Sequence, residues 1–249
     1  MKLTIQKPTE KVLNKSLTTN PISNVAPKEL VLTKEKIKEI VAKRASKEFK
    51  DGDVVTLGIG LPTAVADYIP DDIHVTFQSE NGLLGVGKSQ TGEIDPRVIN
   101  AGGGFVEAKV GACFYDSQMS FTMMRGGHID ATVLGALQVD QDGSIASWMI
   151  PGKMIPGMGG SMDLIVGSKK VIVAMEHTSK GHVKIMKKCS LPLTAYKEVN
   201  LIITERCVFE VNEKGLLLTE LNPMFTVEDI RNCTEADFAV SSELKYMEV

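Results

Sequence analysis

In Phe77-Gln78-Ser79-Glu80-Asn81-Gly82 an apolar run ends abruptly in four polar residues and a glycine, which places the Glu80 carboxylate at a strand terminus. Flanked by the amides of Gln78 and Asn81 and the hydroxyl of Ser79, a carboxylate there can act as a nucleophile toward a bound electrophile. Composition alone fits a glutamate that caps a loop at least as well. A second candidate is Gly58-Ile59-Gly60-Leu61-Pro62, where glycines permit close backbone approach and Pro62 can open a helix. It lacks the x-x-G of a dinucleotide fingerprint, and its other reading is a plain structural turn. The Gly-rich stretch Gly157-Met158-Gly159-Gly160 fits a flexible loop as well as it fits a functional one. His128, His177 and His182 show no H-E-x-x-H or clustered spacing, so no metal site is expected.

These segments need a scaffold. Ile37, Ile40, Val41, Ala45 and Phe49 recur at helical spacing, which predicts an amphipathic helix starting after Thr33. The short apolar run Val54-Val55-Thr56-Leu57 follows as a strand, then the Gly-rich turn, then a second helical stretch through Ala66 and Tyr68. Further strand-like runs lie at 73–78, 131–139, 170–175, 201–204 and 216–221, several separated by helix-like or Gly-rich segments. This alternation predicts an α/β fold, an open and mainly parallel sheet with helices on both faces. Asp140-Gln141-Asp142-Gly143 and Asn212-Glu213-Lys214-Gly215 read as tight turns that add local antiparallel pairs. In such sheets ligands gather beyond the carboxyl ends of the strands. Met119, Met123 and Met124 read as core filler.

The chain has 249 residues and a net charge of −3, with 43% hydrophobic and 5% aromatic residues. One domain over 33–249 is expected, preceded by a flexible arm over 1–32 that is rich in Lys, Thr, Asn and Pro. The charge and the scarcity of aromatics argue against nucleic acid as a partner. Every hydrophobic stretch is interrupted before membrane-spanning length. Cys113, Cys189, Cys207 and Cys233 have no paired spacing, so reduced, buried thiols in a cytoplasmic protein are expected. The arm has excess Lys but no Arg, and it contains Glu10 and Glu29, which argues against a targeting peptide.

Gln78-Ser79-Glu80-Asn81-Gly82 resembles the signature of the family I coenzyme A transferases, specifically their B subunit. Further blocks agree in order: 57–62, Arg125-Gly126-Gly127-His128-Ile129-Asp130, 134–139, Ile150-Pro151-Gly152-Lys153-Met154 and 157–164. The resemblance runs from about Lys36 to the C-terminus. It implies a NagB/RpiA/CoA-transferase-like domain and a partner A subunit, in a heterodimer or a dimer of heterodimers, with the active site at their junction.

The resemblance also implies roles. Glu80 is the nucleophile, Gly160 supplies an oxyanion N–H, and Gln78, Ser79 and Asn81 support them. Gly58, Ile59, Gly60, Leu61, Pro62 and Gly159 become candidate CoA contacts. Lys180, which follows a strand, joins them as a possible phosphate contact from the lysine-rich second half. CoA is a substrate, and no cofactor is expected. The implied reaction moves CoA between an acyl-CoA and a short-chain carboxylate or 3-oxoacid. Several relatives acting with succinyl-CoA carry a lysine where this chain has Gly103, so acetoacetate with acetate or butyrate is the expected pairing. A succinyl-CoA:3-oxoacid transferase subunit, an acyl-CoA hydrolase and a non-catalytic acyl-CoA sensor are the alternatives.

Overall fold

The computed structural model describes residues 32–153, 155 and 157–248, so the arm expected over 1–32 falls outside it except for Leu32. The first half runs α1 (Lys34–Ser46), β1 (Val54–Leu57), a 3-10 helix (Leu61–Tyr68), β2 (Thr76–Ser79), β3 (Leu83–Ser89), β4 (Val106–Phe114) and α2 (Ser117–Arg125). Next come β5 (Ala131–Leu134), β6 (Gln138–Asp140), β7 (Ile145–Ala146), α3 (Ser161–Gly167) and β8 (Val171–Ala174). The chain continues through β9 (Thr178–Ser179), β10 (His182–Val183), β11 (Ile185–Met186) and β12 (Leu201–Ile203). It closes with β13 (Cys207–Asn212), β14 (Gly215–Leu221), α4 (Val227–Arg231) and β15 (Phe238–Tyr246).

A ten-stranded sheet is ordered β15-β14-β13-β12-β8-β5-β1-β2-β3-β4. Its centre, β12-β8-β5-β1-β2, is parallel throughout. Antiparallel pairs extend it on both sides, and β15 closes one side parallel to β14. All four residues of β5 and of β8 are buried, as strands covered on both faces must be. The alternation shows which helices cover which face. Val171 and Val173 pack in one cluster with Met124 of α2, Leu164 and Ile165 of α3 and Ile230 of α4. Ile172 and Ala174 pack in the other with Ile40, Val41 and Ala45 of α1 and with Ala64 and Val65. Helices on both faces of an open sheet are thus borne out.

α1 begins where the sequence signal puts it, with Thr33 Oγ1 accepting from the Lys36 N–H. Both expected turns close hairpins, β6–β7 around Gly143 and β13–β14 around Gly215. Four expectations need correction. The run 131–139 is two strands, because the chain leaves the main sheet after Leu134 and β6 joins a separate three-stranded sheet, β11-β6-β7. The helical stretch after Gly60 is 3-10 rather than α. Met119 is 52% exposed, and only Met124 of its group is fully buried. The four cysteines are free, but Cys113 is exposed and Cys189 half-buried.

The parallel register sends the carboxyl ends of β2, β1, β5, β8 and β12 to one edge of the sheet. Glu80, Gly58, Gly135 and the segment after Ala174 all emerge there.

Candidate active site

Glu80 sits in the tight turn that joins β2 to β3, closed by a hydrogen bond from the Gly82 N–H to the Ser79 carbonyl at 3.0 Å. Gly82 has φ +111°, and a Cβ there would overlap the carbonyl oxygen of Tyr115. Only glycine fits both constraints, so the residue that ends the motif fixes the turn presenting Glu80. Glu80 itself is half-buried, accessible from the ligand edge but not free in solvent.

Its neighbours act as anchors. Gln78, 3% exposed, accepts from Thr56 Oγ1 of β1 at 2.7 Å and donates Nε2 to Ser120 Oγ of α2 at 2.9 Å. Ser79 Oγ accepts from the Ala101 N–H at 2.9 Å, and Asn81 Nδ2 donates to the Ile99 carbonyl at 2.8 Å. The strand end is therefore bonded to its parallel neighbour, to a helix above it and to the loop beside it. The Tyr115 hydroxyl is buried near Gln78 without hydrogen-bond geometry to it or to any other described group, and burial raises its pKa.

Gly160 lies against the Glu80 carboxylate. A Cβ on it would overlap Glu80 Oε2 and stand 3.0 Å from Cδ and 3.1 Å from Phe121 Cζ. Gly159 is slightly farther off, its Cβ position 3.8 Å from Glu80 Oε1. Gly160 is buried at the start of α3, and Gly157 and Gly159 take φ of +93° and +54°. The structure thus brings Glu80 and Gly160, 80 residues apart in sequence, into direct contact. A backbone free of side chains beside a carboxylate is an arrangement that can receive the oxyanion of an acyl group reacting there.

The turn Gly58 to Pro62 follows β1 at the same edge. Gly58 donates to the Val133 carbonyl at 2.7 Å, and a Cβ on it would meet Leu134 at 2.9 Å. Ile59, 71% exposed, lies beside Gly102, in the loop that Ser79 and Asn81 anchor. Gly60 has φ +88°, and Leu61 and Pro62 open the 3-10 helix. Lys180 is not brought to this group. It forms the β9–β10 turn with Gly181 and lines a separate cavity of about 210 Å³ with Glu176, Thr178, Glu205 and Arg206. That turn follows β8, three strands from β2, roughly 14 Å across the sheet.

Thr56, Ser120, Phe121, Ile99 and Ala101 escaped the sequence reading. Ser120 carried the one available signal, a polar residue one turn before Met124 on the buried face of a helix, which must find a partner. His177 is fully buried between Thr204 Oγ1 at 3.0 Å and Thr234 Oγ1 at 2.9 Å. Among the described residues no group of three or more His, Cys, Asp or Glu could hold a metal ion, and no helix is long and apolar enough to cross a membrane.

The comparisons with known proteins bear on this geometry directly. The chain is 50% identical over 213 residues to the beta subunit of the acetate CoA-transferase of Haemophilus influenzae, covering 85% of this chain and 96% of that one. It is 51% identical over 213 residues to the B subunit of a probable succinyl-CoA:3-ketoacid coenzyme A transferase of Bacillus subtilis, covering 85% and 98%. A crystal structure of an acyl-CoA transferase from Escherichia coli O157:H7, a thioester complex with CoA, superposes with a TM-score of 0.67 at 25% identity, over 85% of this chain and 43% of that one. With the profile of the family described as Coenzyme A transferase matching residues 38–232, the chain belongs to that family and is an enzyme of CoA transfer.

Proposed function

We propose that this chain is the glutamate-bearing subunit of a two-subunit CoA-transferase, with Glu80 as the group that carries CoA between two acids. The observation that carries the reading is the contact between the Glu80 carboxylate and Gly160 at the ligand edge of the sheet. A carboxylate nucleophile suits a reaction that must conserve the thioester. A Glu80 oxygen attacks the acyl-CoA carbonyl, its C–S bond breaks, and an acyl-glutamyl anhydride and CoA thiolate result. The thiolate then attacks Glu80 Cδ, the anhydride C–O bond breaks, and the donor acid leaves as its carboxylate. The glutamyl-CoA thioester remains, and the acceptor carboxylate runs both steps in reverse. No net proton is consumed. Each addition builds an oxyanion, for which the Gly160 N–H is the donor this chain offers.

Both relatives are named as one subunit of their enzymes, a beta subunit and a B subunit, which supports a partner subunit for this chain. So does the 43% share of the longer bacterial acyl-CoA transferase that it covers. For the acids, acetoacetate with acetate or butyrate is favoured. Ile59 is exposed beside the loop 100–104, and Gly103 in that loop brings no cation to bind a second carboxylate. Relatives named for acetate and for succinyl-CoA are about equally similar, so a panel of acceptors must decide the pair.

The test is to co-express the chain with its partner subunit, incubate with acetoacetyl-CoA alone, and map the Glu80 peptide by mass spectrometry. A CoA adduct on Glu80 that is absent in Glu80→Gln is expected. Full activity in Glu80→Gln would overturn the mechanism. Thioester loss without any acceptor acid would indicate a hydrolase.

A further inference from the structure

α2 lies between the two halves of the site and touches both. Fully buried Ser120 accepts from Gln78 Nε2 at 2.9 Å, two residues before Glu80 on β2. Phe121, the next residue, has its ring edge 3.1 Å from the position of a Gly160 Cβ. One turn on, Arg125 donates Nε to Asp163 Oδ1 of α3 at 2.6 Å, and its guanidinium lies 5.8 Å from the Phe121 ring centroid. One short helix therefore holds the strand that ends at Glu80 by Ser120, and the segment that starts at Gly160 by Phe121 and Arg125. The glycines of that segment have no side chains with which to fix it themselves.

We infer that Ser120, Phe121 and Arg125 are positioning residues, and that α2 sets the separation between the Glu80 carboxylate and the Gly160 backbone. This inference rests on the reading of Glu80 as the nucleophile. The chemistry makes that separation critical, because Glu80 attacks through an oxygen in one step and is attacked at Cδ in the next. One backbone donor must serve both geometries, and a misplacement of about 1 Å can cost on the order of 100-fold in rate. Loss of the Ser120 hydroxyl also leaves Gln78 Nε2 without its partner, with the Tyr115 hydroxyl buried nearby as the alternative.

The test uses the two-subunit enzyme with Ser120→Ala, Arg125→Met, their double variant, and Arg125→Lys as the conservative change. The Arg125 side chain is 69% exposed, so its variants keep the fold even if Ser120→Ala does not. The readouts are the single-turnover rate of Glu80 adduct formation, kcat, and KM for both substrates. Each single variant is expected to slow adduct formation and kcat by about 10-fold while KM stays within about two-fold, with partial recovery in Arg125→Lys. An unchanged adduct rate in Arg125→Met, or a raised KM with unchanged kcat, would overturn the role of α2. A wild-type enzyme with no Glu80 adduct would instead sink the underlying reading of Glu80.

Discussion

The Glu80 carboxylate fills the space that a side chain on Gly160 would need. Gly160 has φ −84°, an ordinary value for any residue, so its identity answers to the carboxylate and to Phe121 rather than to backbone strain. Gly160→Ala should therefore fold, because the carboxylate that blocks the new methyl is the free end of a side chain. It should still displace the nucleophile. The expected outcome is a loss of kcat on the order of 100-fold with the thermal midpoint within a few degrees of wild type, checked by steady-state kinetics and thermal denaturation. Wild-type kcat in a folded Gly160→Ala would show that the contact has no part in the reaction.

Ser79 ties the loop 99–104 to the strand that presents Glu80. Replacing it by alanine leaves the Ala101 N–H without its acceptor, at a cost of about 1–3 kcal/mol if the group stays sequestered. The cheaper response is for the loop to lift away. Ser79→Ala should raise amide hydrogen exchange across 99–104 and lower kcat/KM by about 10-fold. Unchanged exchange there would rule out the anchoring role.

How much of this site was legible depended on how far each partner lies along the chain. The Glu80 turn is local, with an apolar run, a polar break and a glycine inside six residues, so a strand-end carboxylate could be read directly. The need for Gly82 could not, because the carbonyl that excludes a side chain belongs to Tyr115, 33 residues on. Gln78, Ser79 and Asn81 were recognised by resemblance as supporting residues, but their partners Thr56, Ser120, Ala101 and Ile99 are set by strand order and helix packing. The parallel centre followed from alternating strands and helices. The split of 131–139 did not, since apolar residues continue past Gly135 through Leu137 and tertiary pairing is what separates β5 from β6. Lys180 was read from a local rule alone. It does follow a parallel strand at the ligand edge, yet that strand lies three places from β2.

On the face of the sheet that α1 covers, Arg44 donates Nε and Nη2 to both oxygens of Glu220 at 2.7 Å and Nη1 to Glu48, which also pairs with Lys170. The Arg44 and Glu48 side chains are only 10% and 14% exposed. Burial alone would raise the Glu48 pKa, but the bonds from Lys170 and Arg44 hold it below the usual value. This contribution is present above the ordinary carboxylate pKa and is lost as pH falls through the lowered one. Arg44→Met takes from Glu220 its bidentate partner and leaves Glu48 to Lys170 alone, and should cost about 3–5 kcal/mol in urea denaturation at neutral pH. Because Glu220 lies on β14, six places from β2 in the sheet, and none of these residues holds Glu80 or Gly160, kcat measured well below the melting range should not change. A matching loss of kcat would mean that the network and the site are coupled.

His177 sets a second pH dependence with its own window. Burial first, then the nearby Arg206 and Lys184 charges, depress its pKa from 6.5 to about 3, so it stays neutral between Thr204 and Thr234. In the unfolded chain the imidazole takes up a proton below about pH 6.5, whereas the folded chain takes up none until about pH 3. The unfolded state thus binds more protons throughout that interval, and stability must fall as pH falls. Between pH 7 and pH 5 the loss from this one residue is roughly 2 kcal/mol. His177→Gln keeps a polar group for the two threonines but cannot titrate, so its urea midpoint should change less than wild type's between pH 7 and pH 5. Parallel pH profiles for the two proteins would show that His177 is already charged in the folded state. Nitrogen chemical shifts of the wild-type imidazole at pH 5 provide an independent check, since a neutral ring is expected there.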